Sequence, residues 1–86
     1  MRDIQSQATN WINVYAAAGI ALGAGIIIQN KKCAELLVLE SANNPGDDVY
    51  DGRVLTYLRE IEVGQGSPGV WVRNNFGGIR FFVQEV

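Results

Sequence analysis

Short apolar and β-branched runs, separated by clusters of turn residues, recur along the chain. WINVY at 11–15, IIIQ at 26–29, AELLVL at 34–39, VWVR at 70–73 and IRFFVQEV at 79–86 are rich in residue types that suit a pleated, half-buried strand. In the last run Ile79, Phe81 and Val83 share one face while Arg80, Phe82 and Gln84 take the other. With 70–73 it predicts an antiparallel C-terminal hairpin closed by the Gly-containing link NNFGG. SANNPGDD at 41–48 is the strongest loop signal, because Asn, Pro, Gly and Asp each favour turn conformations. Further breaks fall at Asn30-Lys31-Lys32, at Asp51-Gly52 and at GQGSPG, residues 64–69.

Two stretches read less simply. Residues 16–25 are small and Gly-rich, which fits a turn, a bulge or a close approach of backbones. Residues 53–63 carry two periods. Tyr50, Val54, Tyr57, Leu58 and Ile61 fall at helical spacing, whereas Leu55, Tyr57, Arg59, Ile61 and Val63 alternate. The Tyr, Val, Ile and Thr enrichment and the closing Gly64 favour strand.

The expected fold is therefore all-β: a small antiparallel β-sandwich or barrel with a C-terminal hairpin, formed by a single domain over residues 11–86. Residues 1–10 (MRDIQSQATN) are polar and read as an N-terminal arm. In that arm Ile4, ahead of Trp11 and Ile12, is placed to anchor on a neighbouring subunit, as in strand addition to a sheet edge. Trp71 and Phe76 add aromatics near a loop, a composition typical of interface hot spots. These five residues are the expected assembly contacts.

Composition sharpens the picture. At 86 residues, with Cys33 as the lone cysteine and no histidine, the chain has no internal disulfide and lacks the ligands of a structural zinc site. Small domains draw stability from disulfides, metals or partners. Oligomerisation or docking on a larger assembly is what remains. The net charge is −2, and Lys31-Lys32 is the only adjacent basic pair, so no phosphate-tracking surface for nucleic acid is expected.

Candidate chemistry is sparse. GQGSPG fits GxGxxG at Gly64, Gly66 and Gly69, but VWVR follows where a dinucleotide site needs a helix. Asp47, Asp48 and Asp51, with Asn43 and Asn44, lack EF-hand spacing and read as solvated loop residues. Cys33 has no histidine to activate it and reads as a packed, inert thiol. Glu60, Glu62 and Glu85 are available as carboxylates, but a chain this short leaves little room for a glycosidase cleft. No enzyme activity and no cofactor are expected.

Two other classes stand beside the structural one. The uncharged run Val14–Ile28, with Gly19 and Gly23 in GxxxG spacing, raises a membrane helix at 11–28. The run is short of the ~20 residues a spanning helix needs, and its glycines break helix, so no membrane insertion is expected. Trp71 beside Asn74, Asn75 and Phe76 raises a carbohydrate-binding patch.

The order of segments also carries a resemblance. An aliphatic strand ends in IQNK (28–31), a second strand follows at 36–39, then an NNP loop, DGRVL (51–55), GSPGVWVR (66–73), a Gly turn and a final FVQE (82–85). Over about residues 10–86 this is similar to small β-sandwich proteins encoded among the virion structural genes of tailed bacteriophages. The resemblance implies a decoration, neck or tail-associated module, present in many copies. It implies other virion proteins (capsid, portal or tail) and further copies of itself as partners, and the virion as its location. The motifs mark strand ends and turns, and none assigns a binding residue.

Overall fold

Inward and outward side chains alternate along the central strands. In Ile26–Asn30 every second residue is fully enclosed, and Ile79, Phe81 and Val83 repeat the pattern. A period of two with one apolar face forces each strand into a sheet that covers a core. The computed structural model describes residues 2–74 and 78–86. The strands are β1 (Arg2–Ser6), β2 (Ile12–Asn13), β3 (Ile26–Asn30), β4 (Glu35–Glu40), β5 (Arg53–Thr56), β6 (Glu60–Val63), β7 (Val70–Arg73) and β8 (Ile79–Glu85), with one short helix, α1 (Val14–Ala18).

The strands form two four-stranded sheets, ordered β1-β8-β3-β6 and β2-β7-β4-β5. Every pairing is antiparallel. First pairs with last, second with seventh, third with sixth and fourth with fifth. The chain thus behaves as one long hairpin, doubled over and rolled so that its halves face each other. This is the eight-stranded jelly-roll arrangement. The expected all-β sandwich is what the chain forms. The fully enclosed part of its core is Val14 from α1 with Ile26, Ile28, Leu36, Val70, Val72, Ile79, Phe81 and Val83 from both sheets.

Several expectations need correction. The C-terminal hairpin does not form: β7 pairs with β2 and β4, and β8 with β1 and β3. A short Gly-containing link reverses the chain without deciding whether the next strand lies beside the last or across the core. Facing sheets are only ~10 Å apart, so strands close in sequence can lie on opposite sheets as readily as side by side. The two strands each own a complete apolar face, and opposing sheets let both be buried.

Nor is the N-terminal segment an arm apart from the domain. Residues 2–6 are edge strand β1, with Ile4 opposite Phe81 and packed on the core. Main-chain pairing needs no apolar side chains, so a polar segment with one inward isoleucine suffices at an edge. Asp3 adds exposed ion pairs to Lys31 (3.1 Å) and Arg80 (3.5 Å).

Residues 11–15 are only briefly a strand. Asn13 Oδ1 accepts a hydrogen bond from Ala16 N (3.2 Å), and Gly19 closes the helix in the left-handed region at φ 69°. That N-cap, the alanines and the C-terminal glycine are helix signals that outweigh the aromatic run. The spanning helix at 11–28 is thereby replaced by β2, α1 and the start of β3. Among the described residues no helix is long and apolar enough to cross a membrane. Residues 53–63 are extended, but as two strands divided by a turn at 57–59 that moves the chain from one sheet to the other.

Candidate functional site

The 41–52 loop between β4 and β5 is laid across the outer face of the second sheet. Trp71 on β7 donates its indole N–H to Ser41 O (2.9 Å), and Trp11 donates to Val49 O (3.2 Å). Arg73 points outward from β7 yet is only 5% exposed, because the loop covers it. Its Nη1 donates to Asp47 O (2.7 Å) and Val49 O (3.1 Å). The guanidinium carbon lies 4.6 Å from the Tyr50 ring centroid and 5.6 Å from that of Trp11. Main-chain carbonyls and aromatic faces thus surround a buried cation whose Nε has no hydrogen-bond partner. The acidic side chains of this loop, Asp47, Asp48 and Asp51, remain exposed.

Next to this clamp lies an apolar surface. Tyr50 at the end of the loop, Val54 on β5, and Tyr57 and Leu58 in the turn after it are each more than half exposed. Half-buried Leu37 lies between Arg73 and Val54 in the pairing register, so Tyr50, Arg73, Leu37 and Val54 form a band across the sheet. Leu58 sits at φ 65°, a left-handed conformation that costs a non-glycine residue ~1–2 kcal/mol. Its N–H donates to Asn30 O (2.8 Å), which holds it there. A strained residue that also exposes a leucine is a combination found where surfaces do work.

The expected contact residues do not converge on one surface. Trp11 is buried, and Ile4 and Ile12 are half-buried against the core, so all three serve folding. Ile4 lies in the first sheet and Ile12 in the second. Trp71 is half-buried opposite Asn13 and Leu39, with its indole N–H committed to Ser41. Phe76 lies outside the described residues. Tyr50, Val54, Tyr57 and Leu58 were visible in the sequence only as the helical-period set in the ambiguous segment. Their exposure depends on where β5 ends and on which face of the sheet the loop covers.

Reactive groups stay apart. Cys33 is buried as a free thiol, and burial pushes its pKa up against the smaller lowering effects of hydrogen bonds and of Lys32. Tyr15 is likewise pushed up by burial, and its hydroxyl donates to Ala24 O (2.7 Å). Among the described residues there is no group of three or more His, Cys, Asp or Glu side chains able to hold a metal ion.

No family model, no curated protein and no solved structure matches this chain.

Proposed function

We propose that this chain is a non-enzymatic structural module that docks in many copies on a larger assembly, and that the assembly is a tailed-phage particle. The observation that carries the docking role is the set of exposed apolar side chains Tyr50, Val54, Tyr57 and Leu58, on β5 and at its two ends. Exposed apolar side chains that include two tyrosines are typical of interface centres. The particle assignment rests on the segment-order resemblance. Jelly rolls serve viral capsids, lectins and cupins alike, so topology does not choose among them. In this reading the clamp at Arg73 keeps the 41–52 loop and Tyr50 rigid, so that docking costs little ordering entropy.

The test is incorporation. A tagged chain, expressed in a host producing the particles encoded beside its gene, should co-sediment with them through a density gradient. The double variant V54D/Y57D should remain folded, because both side chains face solvent, and should stay at the top of the gradient. Wild-type protein absent from purified particles would reject the assignment.

A further inference from the structure

We infer that the free edge of β6 is a docking site for an extended segment of a partner protein that carries basic residues at alternate positions. In contrast to the apolar band, this site uses main-chain groups and carboxylates, and it stands whether or not the assembly is a phage particle.

β6 pairs on one side only, with β3. Asn30 N donates to Arg59 O at 3.0 Å, which fixes the phase of that ladder. Hydrogen-bonded pairs recur at every second residue, so the main-chain groups of Ile61 and Val63 face β3 and those of Glu60 and Glu62 face outward. Their side chains follow the same alternation. Ile61 and Val63 pack inward, while Glu60 and Glu62 are exposed. A cavity of about 380 Å³ runs along this edge, between β6 and the β4–β5 wall, with Val38, Arg53, Ile61 and Val63 among its lining residues. That volume is within the size range of ligand pockets.

Charge selects the occupant. Glu40 and Glu62 border the cavity, and Glu62 and Glu85 border the adjoining hollow beyond Gly64. Glu60 extends the same edge. Against these four carboxylates stand Arg53 in the wall and Arg59 at the start of the strand. A strand added to β6 places alternate side chains over Glu60 and Glu62, where lysine or arginine fits, and turns the others toward Ile61 and Val63, where apolar residues fit. β6 is the last strand of its sheet, and exposed carboxylates on an edge are the usual guard against unselective pairing.

The probe is a capped seven-residue peptide alternating Lys and Val, titrated into the full chain labelled with ¹⁵N. The amides of Glu60 and Glu62 should shift and become protected from exchange, while an alternating Glu-Val peptide leaves them unmoved. E60Q/E62Q keeps the edge and removes the charge, and should weaken binding by about three- to tenfold, the range for two exposed ion pairs. E62P removes an outward N–H, which an edge strand tolerates, and should weaken binding more than E60Q/E62Q does. Shifts confined to other strands, equal binding of both peptides, or E62P binding as tightly as wild type would each overturn the site. A correctly folded E62P spectrum away from β6 keeps that last comparison valid.

Discussion

Asn30 on β3 donates from Nδ2 to the main-chain oxygen of Leu55 on β5, 2.8 Å away, and so joins the two sheets through a fully buried side chain. The same amide group donates to Cys33 O (2.9 Å), and Oδ1 accepts from Lys32 N (3.2 Å) and Cys33 N (3.1 Å). One side chain thus shapes the β3–β4 turn and ties the first sheet to the second. Its own main chain holds the β5–β6 turn through Leu58 N and Arg59 O. Both crossings between sheets on this side of the molecule meet at Asn30.

Replacing Asn30 should therefore cost far more than its volume implies. Asn30→Ala strands Leu55 O, Cys33 O and Cys33 N in buried surroundings and frees the part-buried Lys32 N, and each lost buried partner costs ~1–3 kcal/mol. We expect a total loss of about 3–5 kcal/mol, because water entering the space re-satisfies part of the set. A urea titration reads it directly. A loss under about 1 kcal/mol would mean that the knot does not hold the sheets together.

Arg73 gives the second prediction. Arg73→Met keeps the bulk of the side chain but removes the donors to Asp47 O and Val49 O. The loop should then detach locally while the core stays folded, since Val70 and Val72 on the same strand are untouched. Limited proteolysis within 41–52 should speed up at least tenfold, with a global loss of about 1–3 kcal/mol from the unpaired carbonyls. Arg73→Lys should fall between the two, because a single ammonium cannot span both carbonyls and lie flat between two rings. If the loop in Arg73→Met resists protease as well as wild type, the clamp does not order it.

The strands were legible in the sequence because their signals are local. IIIQ and AELLVL are apolar runs that mark strands without fixing a face, IRFFVQEV alternates enough to fix its inward face as well, and the turn clusters at 41–52 and 64–69 mark where the chain leaves the sheets. Pairing was not legible. Whether 70–73 and 79–85 are neighbours or face each other is decided by the roll of the whole chain, which places first strand against last. β1 escaped notice because an edge strand needs only main-chain bonds and one inward Ile4. Arg73 was legible only as the end of the VWVR strand. Its burial follows from the loop folding back over it, a tertiary event with no local signature.

Cys33 supplies a pH prediction. Burial raises its thiol above the ordinary value of 9.0 and raises Tyr15 above 10.0. Below pH 8 both groups are protonated in the folded and unfolded chain, and they contribute no slope. As pH rises past the ordinary thiol value the unfolded chain ionises first, so folded stability falls with increasing pH. The urea midpoint should hold from pH 6 to 8 and drop between pH 9 and 11, and Cys33→Ala should flatten the first part of that drop. Iodoacetamide should label native Cys33 at least a hundredfold more slowly than in denaturant. Equal rates would place the thiol at the surface.

The last prediction concerns residues 2–6. If they formed a free arm, their deletion would leave the domain intact and change only assembly. As strand β1 they cover one edge of β8, set Ile4 against the core and place Asp3 between Lys31 and Arg80. Deletion removes a whole row of main-chain bonds and uncovers Phe81 and Val83, which are fully enclosed in the intact chain. The exposed ion pairs contribute little, ~0–1 kcal/mol each. The larger losses are the partial burial of Ile4, worth ~1 kcal/mol, the row of main-chain bonds and the re-exposure of its neighbours. Deleting 2–6 should thus lower stability by about 3–5 kcal/mol, enough to unfold a marginal small domain at 37 °C. Ile4→Ala alone should cost about 1–2 kcal/mol, since Ile4 is half-buried and truncation of a fully buried isoleucine costs ~2–5 kcal/mol. Thermal denaturation followed by circular dichroism separates the two outcomes. A truncated chain that melts with wild type would return residues 2–6 to the role of a detachable arm. A large drop in midpoint, with Ile4→Ala in between, makes β1 part of the folding unit and limits any assembly contact there to its outer edge.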